Sequence, residues 1–562
     1  MDWKILVGVI LFLFVFMIYR SCSDEGPADY DKVQAEQQKA RTKEFTQQQL
    51  ADQAQKRTAQ LNEARKSRGK RQPEKTAVIE TELFRAELTS LGGALKSYTL
   101  KDHQYMEPPR DWTTGLKDEN AKLKHINLVT TNPDKKYWAA FPLRFHIYEG
   151  LDGLLPDADF EIVKNTRKTA IFRYEQEGIP VVIYKKFEVA KAEHPYQIWL
   201  TVRVVNKGEQ TISFRPGIIQ SGFQPEEEAE SGIFAPQPNL MVGECLANDE
   251  MFAEPWEKIE ESHVSTNVKF AGVGSNYFVA AMIPGDEHPT TCRVSQENSR
   301  VIRADLQWGE LDVKPGKDIV LKVKNYIGPK KYQILETVGH NLEKSVDYGW
   351  FAPISRVLLW LLFKFQAYVV NWGIAIILLT VLIKLALIPL TNKSFKSSNA
   401  MKALKPEMDK LNEKYKDDPQ EKQKAIMALY KSKGVNPLGG CLPMVLQMPI
   451  WFALFRTLRS SPELYRAPFF GWITDLSDAD PYFITPLVMG AMMFVQQKMM
   501  PVAGDNAQAK MMLYFMPIMF TVMMAFLPSG LTLYILVNTV LSILHQWILK
   551  KRSDAQAAVP AK

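Results

Sequence analysis

Cysteine is scarce, with four residues (Cys22, Cys245, Cys292, Cys441) in 562. That number excludes a disulfide-dense scaffold and a four-thiolate zinc site built from sequence neighbours. The eight histidines are scattered, with no HExxH or HxxxH pair, so no helix-borne metal site is expected. An excess of one charge is missing too. Sixty-nine Lys and Arg stand against 62 Asp and Glu, and a net +7 lacks the strong bias of a dedicated nucleic-acid binder. Acid is absent where it matters most: apart from Asp2, no Asp or Glu falls in any long apolar run. At roughly 150 residues per domain the length suggests three or four units.

What is present is long apolar stretches. Uncharged runs cover Ile5–Tyr19, Phe365–Ile383, Gly434–Phe455, Pro481–Gln497 and Met511–Leu549. A bilayer core needs roughly 20 mostly apolar residues. Met1–Tyr19 reaches that length if Asp2 and Lys4 sit at the interface, and Pro528-Ser529-Gly530 splits the last run in two. Six spans result: an N-terminal anchor at 1–20, a second span at 365–392, and four more within 434–549. The segment Thr391–Lys433, the loop 498–510 and the tail from Lys550 together carry seventeen Lys and Arg, against three in Arg456–Asp480. By the positive-inside bias both termini and the Lys-rich segment are cytoplasmic, and the residues between spans one and two are outside. Ser21 and Ser23 also fit a cleaved signal, but an uncleaved anchor is the preferred reading.

Residues 21–75 are rich in Gln, Lys, Arg and Glu, and read as a polar linker. From Thr76 to about residue 345 the period becomes two. Thr169–Tyr174, Val181–Val189, Tyr196–Val205 and Val320–Tyr326 alternate, and Asn206-Lys207-Gly208 and Lys314-Pro315-Gly316 mark turns. Short strands with such punctuation predict a large antiparallel β-sandwich. Cys245 and Cys292 fall inside it; spacing alone does not establish a bond, and the reading leans toward two free thiols.

Residues 346–364 read as an amphipathic interfacial helix, with Arg356 and Lys364 bracketing Val357–Phe363. The segment 393–433 predicts a cytoplasmic helical hairpin. Met401, Leu404, Met408, Leu411 and Tyr415 form one seam, Ile426, Leu429 and Tyr430 a second, with a turn at Asp417-Asp418-Pro419 and a kink near Pro406. A basic tail occupies 550–562.

Lys384 demands explanation, because it interrupts an apolar helix between Gly373–Ile383 and Leu385–Leu390. A charge near a helix centre costs about 2.5–3.5 kcal/mol on insertion scales. Snorkelling is the bland account, yet Lys384 precedes Thr391 by roughly 10 Å of helix, and its Cα–Cβ bond tilts toward the outer side. The preferred reading is a wet, protein-lined cavity in the inner leaflet. Thr380, one turn earlier, Gln447, between Pro443 and Pro449, and the stripe Tyr534, Asn538 and Ser542 supply polar groups. For Ser542 and Thr539 plain interhelical hydrogen bonding is the favoured role. Sixteen of the 22 methionines lie between Met401 and Met524. Met444, Met448, Met516, Met519 and Met523 among them suggest an adaptable greasy surface.

The run Leu429-Tyr430-Lys431-Ser432-Lys433-Gly434-Val435-Asn436-Pro437-Leu438-Gly439-Gly440-Cys441-Leu442-Pro443, followed by Gln447-Met448-Pro449-Ile450, resembles the signature of the YidC membrane-protein insertases. Pro389-Leu390-Thr391, Pro528-Ser529-Gly530-Leu531, Leu533-Tyr534 with Asn538, and Leu91-Gly92-Gly93 match as well. The resemblance implies a helical core of five transmembrane helices plus the anchor, a cytosol-open hydrophilic groove, and a periplasmic β-supersandwich of the Gram-negative type. It maps the groove cation onto Lys384 and its polar partners onto Thr380, Gln447, Tyr534 and Asn538. It also implies, as partners, nascent inner-membrane proteins, the lipid bilayer and a Sec translocon. Two departures stand out: Lys384 occupies a position that is usually Arg, losing the planar fork, and Ile535 replaces a frequent aromatic. The short tail implies only weak ribosome contact.

The function expected is therefore insertion and chaperoning of inner-membrane proteins, with no enzyme chemistry, cofactor, metal or direct nucleic-acid contact. A small-solute transporter is the alternative, though internal repeats are not seen. A sugar-active enzyme on the sandwich is a second rival, and His103, His125, His146 and His194 show no acid–base spacing.

Overall fold

The computed structural model describes residues 73–107, 122–131, 141–151, 154–155, 157–225, 239–298, 300–415, 418–435, 442–499 and 511–557. The expected anchor at 1–20, nearly all of the 21–75 linker and the end of the tail lie outside them.

Strands occupy the chain from Thr76 to Pro329. Nine form one antiparallel sheet, in the order Glu250–Pro255, Val242–Ala247, Val268–Gly274, Phe278–Pro284, Asp318–Pro329, Gln197–Asn206, Val181–Val189, Thr169–Tyr174 and Glu161–Asn165. A second sheet runs His263–Thr266, Thr290–Asn298, Val301–Trp308, Ile212–Phe223 and Leu311–Val313, with Arg144–Glu149 also paired to Ile212–Phe223. A three-stranded sheet from Thr76–Glu80, Phe84–Thr89 and Ala94–Leu100 precedes both. Period two explains which residues turn inward. Ile198, Leu200, Val202 and Val204 are buried, opposite Val189, Phe187, Lys185 and Ile183.

Lys185 is the odd member of that row, a cation with 0% exposure. Its Nζ donates to the carbonyls of Gly92 (3.2 Å), Leu143 (2.9 Å) and Gly93. The rings of Phe160 and Phe187 lie 5.8 and 5.3 Å from it. The carbonyls converge because Gly92 and Gly93 turn through φ of +67° and +51°, which a side chain would resist. A Cβ at Gly93 would also press on Lys185 and Phe160 at 3.3 Å. Burial, reinforced by the charge of Arg144, holds the Lys185 ammonium well below the usual lysine value.

The two cysteines are bonded, which corrects the expectation of free thiols. Cys245, on Val242–Ala247, and Cys292, on Thr290–Asn298, join the two large sheets with a Cα–Cα distance of 6.5 Å. They stand 47 residues apart. Only the packing of one sheet on the other brings them together, and spacing does not encode that.

The helical region begins with α1 (Tyr332–Val338), a connecting segment, and α2 (Ala352–Val369). It continues with α3 (Trp372–Ala403), α4 (Lys405–Lys414), α5 (Pro419–Ser432), α6 (Leu442–Ser460), α7 (Ile484–Met499), α8 (Met516–Met524) and α9 (Ser529–Ala557). Within α3 and α9, Trp372–Met401 and Ser529–Arg552 are long and apolar enough to cross a membrane. The core of the helical region holds Leu362, Ile376, Leu379, Leu454, Met489, Met524 and Leu531.

Some boundaries differ from those expected. The amphipathic helix runs past residue 364 to Val369 and ends where Val370 adopts φ +54°, so the next helix starts at Trp372 rather than Phe365. No Gly or Pro marks that break, and the uncharged run crosses it unseen. At its other end α3 continues beyond 392 to Ala403; the chain breaks at Leu404, and Pro406 sits in the first turn of α4. The seam between α4 and α5 closes on Leu404, Met408 and Tyr430, with Met401, Ile426 and Leu429 around them. Asp418 caps α5 through the N–H groups of Gln420 and Glu421, both 3.0 Å.

Gln104 docks the β-rich part on the loop after α6. Its amide nitrogen shares two hydrogens among the carbonyls of Pro462, Glu463 and Tyr465, each at 2.9 Å. Arg456 pairs with Asp347 at 3.2 Å nearby. Burial pushes the Glu463 carboxyl up to about 7, against the opposing pull of Lys331.

Candidate functional site

The site forms where α3 and α9 pack side by side. Both helices are apolar on most faces, so the few polar side chains on the shared face meet one another. Lys384 is partly buried, and its Nζ donates to Ser542 Oγ at 2.7 Å. Ser542 in turn donates to the Asn538 carbonyl oxygen at 2.6 Å. That bond uses the serine proton and leaves the oxygen's lone pairs free to accept from the ammonium. Among the described residues no ion pair to Lys384 is present.

Around this contact the expected residues fall into three groups. Gln447 on α6 donates its amide to the Tyr534 hydroxyl on α9, so two of them meet directly across helices. Asn538 keeps its side-chain Oδ1 buried without a partner. Thr380 is wholly buried and donates to the Ile376 carbonyl at 2.7 Å within its own helix. It belongs to the packed wall beneath Lys384 rather than to an open surface. Tyr534 is also enclosed, 1% exposed.

The methionines divide as well. Met448 and Met519 are exposed, at 46% and 39%, and Met516 is half-buried. Met523 packs against the bundle core. Met444 lies in α6, with its side chain outside the described residues.

One side chain joins the cluster that the sequence reading did not single out. His545 Nε2 lies 2.9 Å from Asn392 Oδ1, tying α9 to α3 one turn beyond Ser542. Gln497 and Gln546 each bury an unpartnered amide oxygen, as Asn538 does. His545 extends the stripe of Tyr534, Asn538 and Ser542 by one more turn, a signal legible in the spacing.

Residues 76–361 match the family described as the YidC periplasmic domain, and residues 364–556 the family described as the 60Kd inner membrane protein. A curated relative named "Membrane protein insertase YidC" from Anaeromyxobacter dehalogenans (strain 2CP-1) is 38% identical over 504 residues, covering 87% of each chain. The chain belongs to the YidC family of inner-membrane insertases. A YidC relative from Syntrophus aciditrophicus is 34% identical over 481 residues, covering 85% of this chain and 86% of its own. A solved structure described as an active YidC insertase with the first transmembrane domain resolved is 18% identical. It covers 84% of this chain and 92% of its own, with a TM-score of 0.37. The family architecture is a β-rich periplasmic domain followed by a helical region, and this chain has both in that order.

Proposed function

We propose that this YidC-family protein integrates and helps fold inner-membrane proteins, alone or with the Sec translocon, through a cytosol-open groove bearing one positive charge. The N-terminal anchor and five helices (α3, α6, α7, the Met511–Met524 segment and α9) cross the membrane. Both termini and the α4–α5 hairpin face the cytoplasm, and the two packed sheets form a periplasmic sandwich. In the groove Lys384 is the cation, Gln447, Tyr534 and Asn538 are its polar neighbours, and Thr380 sits in the wall. Met444, Met448, Met516, Met519 and Met523 offer the greasy exit surface.

One observation carries this reading. The Lys384 ammonium is half-buried between two apolar helices, and among the described residues only Ser542 satisfies it. A cation left without a fixed anion is unfavourable unless water or an arriving acid completes it. A nascent chain's acidic or polar segment entering there crosses part of the bilayer without its full desolvation cost, and its apolar helix then leaves into lipid. Burial at about 25 cal/mol per Å² drives that release. Neither cofactor nor covalent step is needed, and ribosome contact is weak. The transporter alternative draws no support from relatives named as insertases.

The test compares Lys384→Ala and Lys384→Arg in reconstituted vesicles. Insertion of clients with acidic translocated tails falls in the Ala variant and is kept in the Arg variant. Equal insertion by Lys384→Ala would remove the charge from the mechanism.

A further inference from the structure

Lysine presents its charge on a flexible four-carbon stem, with none of the planar preorganisation of a guanidinium. A groove that relies on it must hold the ammonium by other means. The Ser542 hydroxyl is placed to do so. It accepts from Lys384 Nζ at 2.7 Å, and its own proton is committed to the Asn538 carbonyl at 2.6 Å, so it has no freedom to turn away. The chain Asn538 O, Ser542 Oγ, Lys384 Nζ therefore fixes one of three ammonium hydrogens and leaves two for a ligand. The groups on this face are neutral or cationic. His545 lies one turn beyond Ser542 and is bound to Asn392 of α3 at 2.9 Å, and Asn538 keeps a buried amide oxygen without a partner. Among the described residues none of these contacts supplies an anion.

We propose that Ser542 is a positioning residue that pins the Lys384 ammonium toward the groove, and so sets the preference for acidic over neutral segments of a nascent chain. This rests on the groove reading above. Removing the hydroxyl frees the stem, which then samples orientations along α9 and presents its charge for less of the time.

Full-length protein with Ser542→Ala or Ser542→Thr is reconstituted in vesicles of zwitterionic and anionic lipid. It is offered two clients that differ only in two Asp or two Asn in the translocated tail. The readout is the ratio of their insertion rates. Ser542→Ala lowers that ratio about three- to tenfold, as loss of one hydrogen bond of ordinary net strength would, and Ser542→Thr restores it. In a Lys384→Ala background, Ser542→Ala changes the ratio no further. A ratio unchanged by Ser542→Ala while Lys384→Ala lowers it overturns the positioning role alone. A ratio unchanged by Lys384→Ala overturns the groove reading beneath it. Equal loss of both clients in Ser542→Ala, or failure of Thr to rescue, marks a merely structural serine and also overturns the proposal.

Discussion

Cys245 and Cys292 bolt one sheet of the periplasmic domain to the other, with both side chains buried at 1% and 0% exposure. Closing a loop of 47 residues removes about 4 kcal/mol of unfolded-chain entropy on the loop-closure account. The paired substitution Cys245→Ala, Cys292→Ala should lower the unfolding temperature of the domain in detergent. Reductant should do the same to the parent protein and nothing to the variant.

Lys185→Met should destabilise the same domain by about 3 kcal/mol, since three carbonyls lose their donor in a site closed to water. Denaturant unfolding followed by tryptophan fluorescence measures it. Lys185→Arg should fare little better, because the larger head meets Phe160 and the Gly92-Gly93 turn already in contact.

Glu463 gives the docked loop a pH dependence. Its folded value of about 7 lies above the ordinary 4.5. Between those two values the folded protein holds a proton that the unfolded chain releases, so stability falls as pH rises through that window and levels off above it. Lys331 opposes the effect, and Tyr105, Tyr326 and Tyr348 feel the carboxylate. Glu463→Gln should abolish the fall. Its melting temperature should exceed that of the parent at pH 8 and match it near pH 4.

Gly490 on α7 allows α8 to approach closely. A Cβ there would sit 1.9 Å from Thr521 Oγ1, which is itself held by the Pro517 carbonyl at 2.7 Å. Gly490→Val should cost about 1–3 kcal/mol by overpacking. Adding Thr521→Ala should recover part of the loss, as read by thermal aggregation of the solubilised protein.

Much of the β-rich domain was legible because alternation is local. Thr169–Tyr174 and Val181–Val189 coincide with strands as read, and Gln197–Asn206 is shifted by one residue. Lys185 was not singled out, although alternation through Val181–Val189 puts it in the same row as Ile183 and Phe187. Contacts between distant segments were not legible. The Cys245–Cys292 bond and the Gln104 dock depend on how sheets and helices stack. At the candidate site, spacing put Tyr534, Asn538 and Ser542 on one helical face. It could not say that Lys384 would reach Ser542, or that Thr380 would be sealed by packing. The end of α2 was missed because Val370 is a β-branched residue in a left-handed turn, where Gly or Asn is the usual marker.

The Gln104 amide reaches a loop that leads directly out of α6, the helix carrying Gln447. A side chain shared among three carbonyls resists sliding in any direction. The large domain is therefore held at a set height and bearing over the helices, as a workpiece is held in a jig.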